Sequence, residues 1–377
     1  MNAHRLALYL ASRSLLYFQH VIGHMPVDAV DIFVPDGLLL EGKATCPAYR
    51  ELADTGYQFF PVGQAGGRYG AVGVAGQQDL ERHPALASLA DRRILMLHAS
   101  AFVFMPDDAP FTHILCQYAK QINLGKQPEA PANGKLVREI HPAGTYQLGP
   151  WEDGRRLPRE RLRQLLEEHL DARIPADREL VLYCGGLNDN PQEQVDAVRQ
   201  LAAARTVLFK PFYDHPDYDG LTGHPGVHAI RDTVHISPNA MRFAADCIVT
   251  SPLSGVFTTS LMLRLRVLPF LTYHQSSRQD RNDFATWRQR IPPNSPRPDF
   301  HIARKLEGPF DNKTLPDMVK RMGSPYYWQG YDAMLRALLP AFFGDCRIEG
   351  AAERAAGGLL NVARCGTFTP DGRTETA

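Results

Sequence analysis

The sequence predicts an α/β protein made of two Rossmann-like domains in series, facing one another across a cleft. Three observations predict it. Short apolar runs alternate with amphipathic stretches through both halves of the chain. A polar stretch, GPWEDGRRLPRERLRQLLEEHLDARIPADRE, interrupts that alternation once, near the middle. The length of 377 residues exceeds what one simple core usually serves and suits two domains. The expected divisions are 1–155, 156–345 and a partly loose C-terminal extension, 346–377.

In the first half, Leu6 to Leu10 reads as a strand, Leu15 to Gly23 as a helix and Val30 to Val34 as a strand. Tyr57 to Val62, Ile94 to Leu97, Phe111 to Cys116 and Leu136 to Ile140 are further strand candidates. The glycine-rich segment Gly63 to Gly76 fits neither a phosphate-loop nor a dinucleotide fingerprint and reads as a mobile loop over the acceptor side. Pro158 to Asp171 reads as an amphipathic helix, with Leu162, Leu165, Leu166 and Leu170 on one face and its arginines solvated. The second half restarts with a strand, Leu180 to Cys184, and a helix opened by Pro191. Strands Thr206 to Phe209 and Val227 to Ile230 follow, then a short helix from Pro238 to Phe243. Cys247 to Val249 and Val267 to Leu271 are the last strands, with a helix between them. Ile291 to Phe300 is a proline-rich loop, Trp328 to Phe343 a helix and Gly366 to Ala377 a loose tail.

Composition excludes several classes. Lys+Arg and Asp+Glu both number 41, which argues against a general nucleic-acid binder. The six cysteines form no CxxC pair and read as reduced, buried thiols of a cytoplasmic protein. His215, His224, His228 and His235, with Asp214, Asp217 and Asp219, match no zinc spacing, so neither metal nor cofactor is expected. The apolar N-terminal stretch is interrupted by Arg5, Ser12, Arg13, Ser14 and His20 and reads as neither signal peptide nor membrane span. It leaves room for peripheral contact at the inner face of the cytoplasmic membrane.

The candidate site residues lie just after strands, where ligands of open parallel sheets sit. Ser251, Ser254, Gly255 and Thr258 belong to a small polar loop that opens a helix, a place where backbone N–H groups and the helix dipole favour phosphate. Gly185 and Gly186 let a ligand approach the backbone. Lys210 can neutralise a diphosphate, and His215 can hydrogen-bond to it. His98 ends a strand as a candidate general base, and Gly144 and Thr145 line the acceptor side.

Taken in order, LHAS at His98, AGTYQLGP at Gly144, VLYCGG at Val181, KPFYDHP at Lys210 and ADCIVTSPLSGVFTTSLMLRLRVLPFLTY at Ala245 resemble the bacterial CDP-glycerol glycerophosphotransferase family of teichoic-acid and capsule polymer enzymes. The likeness spans residues 93 to 273. The resemblance implies a GT-B-like fold. It assigns the family's two functional histidines to His98 and His215 and its donor-phosphate serine to Ser254. Four features depart from the family pattern. Ala99 follows His98, Lys210 and His215 are two residues further apart, Ser251 replaces an Asp, and LSG replaces a Ser-Ser pair.

The polyol-phosphate signature is therefore altered, and the expectation is glycosyl transfer from a nucleotide-diphospho or CMP-linked donor. The acceptor expected is a hydroxyl of a bacterial surface glycan or glycolipid. CDP-polyol phosphotransfer is the first alternative. A nucleotide-sugar epimerase or hydrolase, and a non-catalytic scaffold, are the others.

Overall fold

The computed structural model describes residues 2–76, 78–97, 103–104, 109–118, 121–123, 139–151, 157–186, 190–231, 238–251, 254–270, 315–344 and 347–369. The chain divides into two compact units, Met1–Glu152 with Asp345–Ala377, and Asp153–Gly344.

Unit 1 begins with β1 (Asn2–Tyr9), α1 (Ser12–Gly23), β2 (Val30–Val34), α2 (Asp36–Thr45), α3 (Pro47–Asp54) and β3 (Phe59–Pro61). It continues with β4 (Tyr69–Val74), α4 (Asp79–Arg82), α5 (Pro84–Ala87) and β5 (Arg93–Met96). The short β6 (Val103–Phe104), β7 (His113–Cys116), the short β8 (Ile122–Asn123) and β9 (Glu139–Pro142) complete its strands. Seven strands form one parallel sheet in the order β3-β2-β1-β4-β5-β7-β9. β6 and β8 pair separately.

The alternation of β1 explains its central place. Leu6 and Leu8 enter one core with Leu15, Phe18 and Ile22 of α1. Ala7 and Tyr9 enter the other core with Leu80 and Leu86 of α4 and α5. A strand stretch buried on both faces must be apolar at every position, as Leu6 to Tyr9 is.

β4 corrects the sequence reading. Gly63 to Gly76 is not all loop, because Tyr69–Val74 pairs with both β1 and β5 in mid-sheet. Its glycine content has a packing cause: a Cβ on Gly73 would come within 2.8 Å of Leu8 Cδ2 and 3.2 Å of Met96 Sδ.

Unit 2 starts with α6 (Arg159–Leu170), β10 (Leu180–Cys184), α7 (Pro191–Ala202) and β11 (Thr206–Lys210). It continues with β12 (Val227–Ala229), α8 (Pro238–Ala244), β13 (Cys247–Thr250), α9 (Gly255–Met262) and β14 (Val267–Pro269). Helices α10 (Leu315–Met322) and α11 (Pro325–Phe343) follow. Its parallel sheet has the order β12-β11-β10-β13-β14. In both units the first strand of the sheet is internal and the order reverses beside it, the arrangement of a doubly wound Rossmann-like sheet. α7 begins where the sequence places a start: Pro191 is at its first turn, and Asn190 Oδ1 accepts from the N–H groups of Gln192 and Glu193.

The arginines of α6 are not a solvated face throughout. Arg163 is 11% exposed and pairs with Asp246, which also takes Arg159. The chain then returns to unit 1 with α12 (Ala351–Cys365), which the sequence reading did not identify. Ala351, Ala352, Ala355 and Ala356 let this helix lie close on the core that contains Leu6 and Leu8. Gly366 closes it in the left-handed region, φ +89°, with its N–H donating to the carbonyls of Asn361 and Val362. Cys365 is exposed, while Cys46, Cys116, Cys184 and Cys247 are buried as expected. Among the described residues, no helix is long and apolar enough to cross a membrane. The proline-rich segment 291–300 and residues 370–377 lie outside the described residues.

Candidate functional site

The strand-order reversal of unit 2 lies between β10 and β13, and the loops that follow these two strands carry Gly185, Gly186, Ser251, Ser254 and Gly255. Cys184 ends β10, in register with Lys210 at the end of β11 on one side and Thr250 at the end of β13 on the other. Residues paired in this way project to the same face of a parallel sheet. Lys210, Cys184 and Thr250 thus form one lateral row at the carboxyl edge.

Lys210 is buried, at 7% exposure. A second buried cation, Arg242 of α8, is 3% exposed, and α8 packs on β10. Both act on the Cys184 thiol. Burial pushes that thiol up to about 11, and the nearby positive charges of Arg242 and Lys210 pull the other way. Thr250 Oγ1, in the same row, is buried and makes no hydrogen bond. Lys210, Arg242 and the Thr250 hydroxyl are thus gathered about the end of one central strand.

The other expected residues are placed as follows. Gly185 and Gly186 are buried. Gly185 N–H donates to the carbonyl of Lys210 at 3.0 Å. A Cβ on Gly185 would meet Gln194 Oε1 at 2.7 Å, so its glycine also serves packing. Ser254 is the N-cap of α9, its Oγ accepting from Val256 N–H at 3.1 Å. Its carbonyl accepts from Phe257 and Thr258, and Ser251's carbonyl accepts Ser254 N–H. Ser251 and Thr258 are both buried. The turn therefore spends the N–H groups of Val256, Phe257 and Thr258 internally, and it offers fewer amides to a phosphate than its sequence suggests.

His215 lies beyond Lys210 as the N-cap of a short 3-10 turn, Pro216–Leu221. Its Nδ1 accepts from Asp217 N–H at 3.2 Å, so the neutral ring carries its proton on Nε2. It can donate a hydrogen bond from that atom. Arg231 braces this loop by bonding Asp214 and Asp219, and the bond to Arg231 holds the Asp214 carboxyl below its ordinary range.

In unit 1, Gly144 and Thr145 follow β9 and are buried. Gly144 has φ +95°, and its N–H donates to Gln117's carbonyl at 3.1 Å. Thr145 N–H donates to Arg347's carbonyl at 3.3 Å. These bonds tie both residues to neighbouring chain. His98 lies outside the described residues.

Sequence reasoning missed Arg242. The signal was there: a lone charge between apolar residues in Met241-Arg242-Phe243-Ala244, two residues before a buried strand. A separate cavity of about 650 Å³ lies at the amino edge of the same sheet, with Arg163, Arg178, Glu179, Asp246 and Arg266 in its wall. Glu160, Glu167 and Asp177 also line it, so its carboxylates outnumber its arginines, which disfavours an anion.

No family model and no curated protein matches this chain. Among solved structures, two of the wall teichoic acid polymerase TagF with CDPG match with TM-scores of 0.51 and 0.50, each at 11% identity. They cover 95% and 94% of this chain and 88% of the TagF chain. UDP-GlcNAc 2-epimerase from Neisseria meningitidis, bound to UDP-GlcNAc, matches at 10% identity over 91% of this chain and 97% of its own, with a TM-score of 0.46. The likeness to TagF, distant in sequence, shows the fold: a two-domain Rossmann-like protein of the GT-B type.

Proposed function

We propose that this protein is a GT-B-type transferase that moves a glycosyl group from a nucleotide-activated donor to an acceptor hydroxyl, in bacterial surface glycan or polymer synthesis at the inner face of the cytoplasmic membrane. The observation that carries this reading is the pair of buried cations, Lys210 and Arg242, acting on one strand end beside the strand-order reversal of unit 2. Such a reversal is where parallel sheets hold ligands, and such charges match a donor diphosphate.

In this reading the acceptor oxygen attacks the anomeric carbon. The bond from that carbon to the diphosphate oxygen breaks, and the nucleoside diphosphate leaves with the electron pair. Lys210 and Arg242 neutralise the charge that develops there, and His215 donates from Nε2. His98 is the base proposed to take the acceptor's proton, and Gly144 and Thr145 shape the acceptor side. Ser254 and Gly255 hold the loop beside the phosphates.

CDP-polyol phosphotransfer is the second reading, favoured by the likeness to TagF, a polymerase solved with CDPG. The attack then falls on the distal phosphorus, and CMP leaves. The same cations stabilise the same phosphates.

A thermal-shift screen with CMP, CDP, UDP and GDP tests the donor site. A ligand that binds the folded state raises its stability, by about 2.7 kcal/mol at a hundredfold excess over Kd. The expected result is stabilisation by at least one of the four. Failure of all four to move the melting temperature overturns the reading.

A further inference from the structure

Unit 1 has its own strand-order reversal, between β1 and β4. The helix after β1 packs on one face of the sheet, through Leu15 and Phe18 against Leu8 and Leu10. The helices after β4 pack on the other, through Leu80 and Leu86 against Tyr9. Two neighbouring strands whose chains leave toward opposite faces open a crevice at their carboxyl ends.

A titratable pair stands there. Tyr9 is the last residue of β1 and is 6% exposed. Its hydroxyl lies 3.0 Å from Nε2 of His83, a half-buried residue at the junction of α4 and α5. The two rings are tilted, with centroids 4.8 Å apart. At the end of β4, Gly76 N–H donates to the Asp79 carboxylate at 2.7 Å. Burial and the charge of Asp79 push the Tyr9 phenol up, and Arg82 opposes them. The phenol therefore stays protonated at neutral pH.

Two features choose the ligand's chemistry. The Gly76 amide, which a phosphate could use at this reversal, is already bonded to a carboxylate, and that negative charge disfavours an anion. The Tyr9 phenol and the His83 ring, by contrast, are hydrogen-bonding groups of the kind that engage hydroxyls. Unit 2 gathers cations at its reversal, and unit 1 gathers a phenol and an imidazole in hydrogen-bonding contact.

We propose that Tyr9 and His83 form a binding site for a neutral polyhydroxylated ligand, a sugar or polyol. This rests on the transferase reading and deepens it by naming the chemical class of the acceptor. Tyr9 fixes the imidazole ring, and His83 presents its remaining nitrogen to a ligand hydroxyl. The pair positions the acceptor and takes no part in bond breaking.

The test uses the full chain labelled with 15N at histidine and titrated with glycerol, ribitol, glucose and N-acetylglucosamine. The His83 ring signals, identified by their loss in His83→Gln, are expected to move saturably with at least one of these probes. Tyr9→Phe keeps the ring and the packing, and it is expected to weaken that binding at least tenfold. No saturable movement with any of the four probes overturns the proposal. So does equal affinity in Tyr9→Phe, or movement with inorganic phosphate in place of the polyols. Stabilisation by the four nucleotides, measured on the same samples, reports on the donor reading separately. Its absence alongside polyol binding removes the donor and leaves this site standing.

Discussion

The backbone carbonyl of Arg347 fills the space where a side chain on residue 144 would begin. Gly144 is thus fixed twice, by that contact and by φ +95°. The Arg354 guanidinium extends the tie, donating to the carbonyls of Ala143 and Arg347 at 3.2 Å each. Gly144→Ala is expected to destabilise the fold by at least about 2 kcal/mol, through strain and displacement of the 347 backbone together. A lowered urea midpoint checks it, and an unchanged midpoint contradicts it.

Lys210→Met and Arg242→Met separate binding from folding. Each removes a buried charge and keeps an apolar stem in place, and unfolding without ligand measures the cost to the fold on its own. Nucleotide affinity is expected to fall at least tenfold in each. Thermal unfolding with and without ligand reads both effects. Full affinity in either variant removes that residue from the site.

Ser254→Ala removes the side-chain cap of α9. The expected loss of stability is about 1 kcal/mol. Ser254→Asp is expected to restore the cap but to weaken nucleotide binding, because it sets a negative charge beside the phosphates. Denaturation midpoints and nucleotide titrations of the two variants measure these separately.

The thiols are expected to react unequally. Cys184 is fully buried and pushed up to about 11, and Cys247 is pushed up by burial in the same way, so both stay protonated near neutral pH. Cys365 is exposed. In the native protein iodoacetamide at pH 8 is expected to modify Cys365 and to leave Cys184 and Cys247 intact. Mass spectrometry of peptides reports the order, and rapid alkylation of Cys184 would contradict its placement beneath the cation row.

His113 makes the fold sensitive to acid. Its Nε2 lies 2.9 Å from the carbonyl of Gly366, so it helps to hold the end of α12 against β7. Burial lowers its pKa, while the bond to Gly366 and the charge of Glu139 only partly offset that. The unfolded chain therefore binds this proton more tightly than the folded one. Its contribution is full above about pH 6.5 and is lost as pH falls toward the folded-state value. The melting temperature is expected to drop between pH 7.5 and pH 5, and by less in His113→Asn. An identical drop in the variant would show that other groups cause it.

The parts of the fold that were legible in the sequence share one property: their apolar residues carry the whole signal. Leu6 to Leu10, β10, Val207 to Phe209 and Cys247 to Val249 are buried on both faces, and each reads as an apolar run. β4 was illegible because Gly73 makes room for Leu8 and Met96, so the strand's own composition imitates a loop. α12 was illegible because its buried face is alanine, chosen for close approach rather than for hydrophobic signal. At the site, Lys210 stood out because it ends a strand that could be seen. Arg242 did not, since its value comes from α8 folding back over the end of β10, a relation between segments far apart in sequence.

The most direct measurement is the structure of this chain with a bound nucleotide diphosphate. Phosphate oxygens are expected within hydrogen-bonding distance of Lys210 Nζ and the Arg242 guanidinium, beside Thr250 at the carboxyl edge of β10 and β13. A nucleotide bound elsewhere, or those two cations neutralised by the protein's own carboxylates with no nucleotide near them, would contradict the account.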